Sequence, residues 1–370
     1  MTLGACQGPV AETSTTTPGI TTVPGDTSSE SSSSSSSSGT TTTGDDGSGS
    51  GGVDTSIEPT RDLGDMPDFG DGKPVGCKGK IDFLFVISRG VNMLNRQEQL
   101  ALAVPEFIET IQTKFEDFDY HIMVVDGDGA PASEWGVAEC NAVCPNLACK
   151  ESDDCCLSGD GSDEPCCPDP DYPCELLDLI TPCDATWGAG VVFPAGPNTA
   201  EKPCPLEPGL RYIEKGHPNL DKTFECIATI GVGGWVSLGQ ALTAAVQPSI
   251  NDIGGINDIG GCNAGFLRDD ALLMVTLIST SADEPNDSEG FPADWAKAVI
   301  DAKHGDDKSV VMFDIMGGGP MCKPYDRICL MTEMFPYHHH ENVLEDDYGP
   351  AFVEATSLVE MACAGFTPPG

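Results

Sequence analysis

The sequence predicts an α/β fold in which a doubly wound, mostly parallel central sheet is flanked by helices. The first observation is the run Ile81–Ile87, where only Asp82 is polar, because a run this short and apolar is typical of a strand buried on both faces. The second is the polar turn Ser88–Gly90 with a helical pattern after it. The third is a series of later apolar runs separated by helical patterns. Such folds bind ligands beyond the carboxyl ends of their strands, so the turn after Ile87 is the first candidate site.

The remaining elements follow the same reasoning. Apolar runs predict further strands at Tyr120–Val125, Leu272–Ile278 and Ser309–Ile315. Apolar residues at helical spacing predict helices at Gln97–Phe115, Leu238–Val246, Trp295–Lys303 and Ala351–Ala362. The acidic turn Asp126–Gly129 ends the second strand and is interpreted as a glycine-rich turn, with a contribution to a cation site as the alternative. The triplet His338–His340 is predicted in a surface loop, since adjacent residues cannot all face one metal.

The charge of the chain excludes one class of partner. Its 370 residues include 59 acidic and 18 basic side chains, for a net charge of −41. A charge this negative repels phosphate, so we expect no nucleic-acid partner and no binding to an anionic bilayer surface. Divalent cations and basic protein surfaces stay compatible with it, and the acidity also keeps an exported protein soluble.

The cysteines indicate an oxidising compartment. There are 17 of them, too many for a reducing cytosol. Cys6 stands apart in the sequence Leu3-Gly4-Ala5-Cys6, which matches a bacterial lipobox, where a signal peptidase cuts before a cysteine that then receives lipid. A chance match is the alternative, and the apolar stretch of a signal peptide is missing upstream. We therefore expect a lipoprotein of the bacterial cell envelope, at the outer membrane or cell surface, attached to the membrane through this lipid only.

The other cysteines number 16, which is even and sufficient for eight disulfide bonds. Their full connectivity does not follow from the sequence, although Cys322 and Cys329 bracket a loop and are close enough to pair. The candidates are Cys77, Cys140, Cys144, Cys149, Cys155, Cys156, Cys166, Cys167, Cys174, Cys183, Cys204, Cys226, Cys262, Cys322, Cys329 and Cys363.

Composition divides the chain into a tether and a domain. Residues 1–76 hold low-complexity Ser, Thr, Gly and Asp tracts with few apolar side chains, too few to offset the entropy of ordering. We predict that they form a disordered linker and that 77–370 is the domain. Residues 130–222 interrupt it as a Cys-rich insertion, with nine cysteines between Cys140 and Cys183. Such a segment is held by disulfides rather than by a core.

The insertion also contains an acidic loop. Alternating Asp and Gly residues can wrap Ca²⁺ with carboxylate and carbonyl oxygens, although the EF-hand pattern is not met. Two interpretations stay open, a solvated loop and a Ca²⁺ site. The candidate ligands are Asp160, Asp163, Asp169 and Asp171.

Several motifs resemble one family. The sequence Val86-Ile87-Ser88-Arg89-Gly90-Val91-Asn92-Met93 aligns with the pattern V-I-D-N-S-G-S-M, and Asn263–Arg268 matches N-x-G-F-L-R. On these residues the region from 77 to 370 resembles a von Willebrand factor A (vWA) domain, and more narrowly the vWA-like lipoproteins of the myxobacterial type. The resemblance implies the fold given above and a metal-ion-dependent adhesion site (MIDAS) at the ends of three strands.

The metal ligands that the resemblance implies are replaced in this chain. Asp, Ser and Ser are implied in the first loop, Thr in the second and Asp in the third. The residues found there are Ser88, Gly90 and Asn92, then Val232, then Thr280. Without the first-loop Asp the site has little charge to offset the dehydration of Mg²⁺, so we expect a degenerate MIDAS without metal.

These observations favour a cell-surface binding or adhesion module that recognises an unknown protein or surface ligand without the standard metal site. One alternative is a Ca²⁺-dependent adhesin that uses the acidic insertion. A second is an enzyme of unknown class. The sequence shows no G-x-S-x-G, H-E-x-x-H or P-loop pattern, so we assign no catalytic residues and expect no enzyme. We expect no cofactor other than this possible Ca²⁺.

Overall fold

The computed structural model describes residues 79–114, 118–128, 179–194, 198–232, 234, 236–247, 255–317, 322–323 and 325–365, with the side chains of 104–106 and 111–112 left out. The chain divides into Met1–Gly64 and Asp65–Gly370, and every described residue belongs to the second unit. The predicted tether, Cys6, and the first part of the predicted insertion with its candidate ligands Asp160, Asp163, Asp169 and Asp171 lie outside the described residues.

Six strands form one sheet. They are β1 (Lys80–Ile87), β2 (Asp119–Asp126), β3 (Ile213–Glu214), β4 (Leu272–Ser279), β5 (Val310–Met316) and β6 (Tyr337–Asn342). Their order is β3-β2-β1-β4-β5-β6, and every neighbouring pair is parallel except β2 with β3. The chain builds outward from β1 on one side and then from β4 on the other, so the topological switch point lies between these two strands. The predicted α/β class with a mostly parallel sheet is confirmed.

Six helices accompany the sheet. They are α1 (Leu94–Lys114), α2 (Leu220–Ala228), α3 (Leu238–Val246), α4 (Pro292–Ala302), α5 (Arg327–Thr332) and α6 (Gly349–Gly365). These are the helices of the described residues; the four that the sequence predicts are found with ends shifted by up to three residues, except α3, whose bounds agree.

Strand β1 is buried on both faces, as its apolar run predicts. Phe83 and Phe85 belong to a core that includes residues of α1, α2 and α6, and the Phe85 ring lies 5.0 Å from that of Phe224. Leu84 and Val86 point to the opposite core, with residues of α3, α4 and α5. Because side chains alternate along a strand, the continuous apolar run fills both cores at once.

Two strands, β3 and β6, and two helices, α2 and α5, were not predicted. Strand β3 lies inside the predicted insertion and contributes the fully buried Ile213 to the first core. Helix α5 has only six residues. The prediction of a surface loop for His338–His340 is wrong, because these residues form the middle of edge strand β6, paired in parallel with β5. An edge strand with polar, half-buried residues shows no apolar run, which is the signal that strand prediction uses.

Disulfide bonds are present, as predicted. They join Cys183 to Cys262, Cys204 to Cys226 and Cys322 to Cys329, and Cys363 is also disulfide-bonded. The candidates Cys77, Cys140, Cys144, Cys149, Cys155, Cys156, Cys166, Cys167 and Cys174 lie outside the described residues. The bond from Cys183 attaches the end of the predicted insertion to the loop before β4.

A buried polar cluster crosses β1 and β2. The carboxylate of Asp82, which is fully buried, accepts hydrogen bonds from the backbone N–H and the Nε of Arg268, both at 2.8 Å. His121 lies beside it, with Nδ1 3.7 Å from Oδ1 of Asp82. Burial raises the pKa of Asp82 to about 6 although Arg268 opposes the shift. Burial also lowers the pKa of His121 to about 4.

We expect these two residues to give opposite pH dependences of stability that largely cancel in the native chain. Asp82 stabilises the fold below its unfolded pKa of 3.8, and this contribution is lost as the pH rises to about 6. His121 stabilises the fold above its unfolded pKa of 6.5, and this contribution is lost as the pH falls to about 4. Each residue contributes on the order of 3 kcal/mol to the pH dependence of the free energy of unfolding, since one pKa unit corresponds to about 1.4 kcal/mol.

Single substitutions separate the contribution of Asp82 to the pH dependence of stability from that of His121. Relative to the native chain, Asp82→Asn should lose free energy of unfolding as the pH falls from 6.5 to about 4, because only the His121 term then remains. His121→Gln should instead lose it as the pH rises from 3.8 to about 6. Urea unfolding at a series of pH values measures both slopes, and two variants with the same slope as the native chain would contradict the assignment.

Candidate binding site at the carboxyl edge of the sheet

Loops that leave β1, β2 and β4 meet at the switch point. The backbone N–H of Ser88 donates to Ile278 of β4 at 2.9 Å, which holds the first loop against the neighbouring strand. The Gln97 side chain then joins this loop to the segment before α3: its Nε2 donates to the carbonyl of Gly231 at 2.7 Å and its Oε1 accepts from the Gly231 N–H at 3.0 Å. A buried amide thus fixes the two loops relative to each other.

The first-loop positions of the predicted degenerate site differ in exposure. Ser88 is fully buried, and its Oγ accepts a hydrogen bond from the N–H of Gly90 at 3.0 Å. Gly90 is also buried, and a Cβ there would lie 3.4 Å from that same Oγ. Asn92 is exposed. The structure therefore brings Ser88 and Gly90 together and leaves Asn92 at the surface.

The other two predicted positions lie close to apolar groups. Val232 is half-buried and packs against the core on the α1 side. The Oγ1 of Thr280 is buried and makes no hydrogen bond within the described residues. The Thr280 N–H lies 3.3 Å from the Met93 sulfur, and Met93 is itself fully buried in the first loop. A valine side chain therefore lies at one loop position where the resemblance implies an oxygen ligand, and a thioether lies beside another.

Arg89 is the site residue that sequence reasoning missed. Its side chain is 2% exposed, and its Nη1 lies 3.7 Å from Oδ2 of Asp126 and 3.7 Å from Oδ2 of Asp128. Its Nε and Nη1 make no hydrogen bond within the described residues. A buried guanidinium is costly unless carboxylates compensate its charge. The acidic turn after β2 provides two of them.

Two glycines allow this arrangement. A Cβ at Gly127 would lie 2.6 Å from Leu238 and 2.7 Å from the Ile87 carbonyl oxygen, and one at Gly234 would lie 1.8 Å from Oδ2 of Asp128. Only glycine permits so close an approach of backbone to its surroundings. The interpretation of Asp126–Gly129 as a glycine-rich turn agrees with the described part of it, where Oδ1 of Asp126 accepts from the Asp128 N–H at 2.9 Å.

Asp283, the carboxylate nearest in sequence to Thr280, is bound elsewhere. It is fully buried, and its Oδ2 accepts from the N–H of Gly239 at 2.9 Å and from the Ser288 hydroxyl at 2.6 Å. Gly239 lies in the first turn of α3, where the helix dipole favours an anion. Oδ1 lies 3.4 Å from Nη1 of Arg327. Burial raises the pKa of Asp283 even though these partners oppose the shift.

The rim of this edge exposes apolar side chains. Four strands are each followed by one large apolar residue with most of its surface exposed: Val91 after β1, Phe291 after β4, Tyr325 after β5 and Leu344 after β6, with exposures from 60% to 74%. Isolated exposed apolar residues are normal on a protein surface. Here all four lie in segments that follow a strand, with Phe291 and Tyr325 just before α4 and α5, at the edge where folds of this kind bind ligands.

A cleft lies beside the Arg89 carboxylates. It is lined by Asp126, Asp128, Asp184, Trp187 and Arg211, among other residues. Arg211 and Asp184 form an ion pair across it at 2.5 Å. Apart from this pair, the charged residues of the lining are Asp126 and Asp128, and the rings of Trp187 and Phe193 lie among small and apolar residues. This combination suits a cationic side chain better than an anionic one.

Neither the known protein-family models nor the curated proteins give a match to this chain. In the part of the chain that the structure describes, no helix combines the length and apolar character that a membrane crossing requires.

Proposed function

We propose that the chain is a cell-surface binding module with a vWA-like domain, attached to the bacterial envelope by lipid at Cys6 and carried on the tether of residues 1–76. Its recognition of a partner does not use a metal at the carboxyl edge of the sheet. The strand order, with its switch point between β1 and β4, supports the vWA-like part of the proposal. The disulfide bonds support an oxidising location.

The observation that carries the proposal is the position of Arg89. A MIDAS places a divalent cation beside the first loop and leaves one coordination position open for a carboxylate of the partner. Here a guanidinium of the first loop lies between two carboxylates of the neighbouring strand end. It supplies positive charge from within the chain, and at 2% exposure it offers little surface to a partner. Recognition must then rest on other groups.

The exposed apolar residues Val91, Phe291, Tyr325 and Leu344 are those groups. A few residues, often aromatic ones, supply most of the binding energy in protein interfaces, and each apolar side chain that becomes buried beside them adds to it. The net charge of −41 and the acidic cleft favour a partner with basic side chains around an apolar patch. The proposed partner is therefore a protein of that chemistry, and the proposed activity is binding rather than catalysis.

Capture from the cell-envelope fraction tests this proposal. We expect the immobilised full chain to retain the same proteins with and without EDTA. The double substitution Val91→Lys with Phe291→Lys should reduce the amount retained about tenfold or more, since each buried side chain of this size contributes about 1.5–3 kcal/mol. Leu102→Lys is the matched control, because Leu102 is 79% exposed but lies within α1 rather than in a segment that follows a strand. Loss of capture in EDTA, or equal loss in the control, would contradict the proposal.

A further inference from the structure

Two cysteines and a histidine meet beside the β5–β6 edge. Cys322 lies in the segment before α5, Cys329 lies in α5 itself, and His340 lies in β6. Their ligand atoms all fall within 4.8 Å of one another, and among the described residues this is the one group of His, Cys and carboxylate side chains that close. In the structure the two sulfurs form a disulfide bond, so they cannot both bind a metal in this state.

The distances suit a tetrahedral zinc site. Nε2 of His340 lies 3.7 Å from the Cys322 sulfur and 4.0 Å from the Cys329 sulfur. With Zn–S near 2.3 Å and Zn–N near 2.0–2.1 Å, tetrahedral angles place sulfur and nitrogen about 3.6 Å apart and two sulfurs about 3.8 Å apart. The two distances from Nε2 to sulfur are therefore within about 0.4 Å of those of a zinc site. The Cys329 sulfur lies nearer to Nδ1, at 3.5 Å, so reduction must let the sulfurs separate and the Cys329 sulfur shift toward Nε2.

The second nitrogen of His340 provides an independent indication. Nδ1 lies 2.7 Å from Oδ2 of Asp314, its paired residue on β5, and Asp314 is 1% exposed. A buried carboxylate in this position holds the proton on Nδ1 and leaves the lone pair of Nε2 for a metal. The carboxylate–histidine–metal arrangement recurs at zinc sites because it fixes both tautomer and ring orientation. Such an orienting partner has no evident use for a histidine that only packs beside a disulfide.

The backbone fixes Cys329, and Cys322 is accessible. Asp326 caps the start of α5 by accepting from the Cys329 N–H at 3.1 Å. Cys329 is 4% exposed, whereas Cys322 is half-buried. A reductant therefore attacks the Cys322 sulfur, and solvent reaches the metal from the same side.

We propose that Cys322, Cys329 and His340 form a zinc site that opens when the Cys322–Cys329 disulfide is reduced. A dithiol reductant attacks Cys322, gives up two electrons and ends as its own cyclic disulfide, while the chain gains two thiol groups. Zn²⁺ then binds the two thiolates and Nε2, and two protons are released. Water fills the fourth position. A small-molecule disulfide can take the two electrons back: it exchanges with the thiolates, leaves as two thiols, re-forms the Cys322–Cys329 bond and thereby releases the ion. The edge of the sheet is thus a redox-gated metal site.

Co²⁺ is the probe, because its absorption spectrum reports thiolate ligation and tetrahedral geometry. The full chain is treated with graded dithiothreitol, and alkylation with mass spectrometry identifies the reduced cysteines. We expect Cys322 and Cys329 to be reduced while Cys204–Cys226 and Cys183–Cys262 stay intact, and one equivalent of Co²⁺ to bind with thiolate charge-transfer bands. The untreated chain should show none of these bands. Reduction of the other disulfides first would overturn the proposal.

Matched variants separate the proposed site from chance thiol binding. Cys322→Ser should abolish the thiolate bands at this site, and His340→Gln and Asp314→Asn should each weaken Co²⁺ binding about 10- to 100-fold. His304→Asn is the control, since His304 follows α4 and is exposed at the opposite edge of the sheet. Near-native circular dichroism shows that each variant is folded. Co²⁺ binding that is unchanged in His340→Gln, or absent from the folded reduced chain, overturns the proposal.

Discussion

We expect Arg89→Met to lower the free energy of unfolding by about 3–5 kcal/mol, the cost of removing one partner from a buried ion pair. Methionine fills much of the volume of the arginine side chain but carries no charge. In the variant, Asp126 and Asp128 lose the positive charge of the Arg89 Nη1, which lies 3.7 Å from an oxygen of each carboxylate. The two negative charges then repel each other across the turn. Urea unfolding of the full chain, followed by circular dichroism, measures the loss.

The control for this variant is Arg96→Met. Arg96 is half-buried, its Nη1 donates to Gln99 on the same helix at 2.6 Å, and its side chain also hydrogen-bonds the hydroxyl of Tyr348. Because both partners are neutral, its loss should cost about 2 kcal/mol or less. Adding Asp128→Asn to Arg89→Met should recover part of the loss, and the double-mutant cycle should show a coupling of about 0.5–3 kcal/mol. If Arg89→Met costs no more than Arg96→Met, the guanidinium does not compensate these carboxylates.

Asp283→Ala should have an effect of the same size, about 3–5 kcal/mol. The substitution leaves the Arg327 guanidinium buried without its carboxylate, and the N–H of Gly239 and the hydroxyl of Ser288 each lose an acceptor. Three elements are released together, because Asp283 follows β4 and binds both α3 and α5. Asp283→Asn should cost less, since an amide oxygen still accepts from Gly239.

Asp301→Ala provides the comparison for Asp283. Asp301 pairs with Lys297 on the surface of α4, with side chains 56% and 71% exposed, and such pairs contribute about 1 kcal/mol at most. Thermal and urea unfolding should therefore separate the two alanine variants clearly. Equal stability of the two would show that Asp283 does not connect β4 to α3 and α5.

The sequence predicted the central elements because their physical signal is strong. Strands β1, β2, β4 and β5 are continuous apolar runs, and all four were found within two residues of their predicted bounds. Strand β6 reads YHHHEN and β3 has two residues, so neither carries a run that periodicity can detect. Edge strands are exposed on one side, and their pairing depends on the neighbouring strand rather than on their own composition.

The sequence predicted where the loops lie but not their chemistry. Ser88 and Thr280 directly follow β1 and β4, as the apolar runs before them indicate. The role of Arg89 did not follow from the sequence, because an arginine in a polar turn is ordinarily solvated. Its burial depends on a carboxylate pair 37 residues away at Asp126 and on the close approach that Gly127 and Gly234 permit. Long-range pairs of this kind leave no local pattern.

The Asn263–Arg268 motif shows the same limit. In the sequence it was only a match to a family pattern, whereas the structure shows what its first and last residues contact. Asn263 donates to the carbonyl of Gly188 and accepts from the N–H of Gly190. Arg268 binds Asp82 across the sheet. The disulfide of Cys183 with Cys262 lies beside it, 79 residues apart in sequence, so it could not be inferred from spacing, unlike Cys322 with Cys329.

We propose that the Arg89 guanidinium supplies the positive charge that a divalent cation would supply at the carboxyl edge. Anomalous diffraction from native crystals soaked in Mn²⁺ can decide this, because the signal locates the ion among the side chains. We predict no manganese peak within bonding distance of Ser88 or Thr280, with Arg89 in place between Asp126 and Asp128. A well-occupied Mn²⁺ bound to Ser88 would contradict the account.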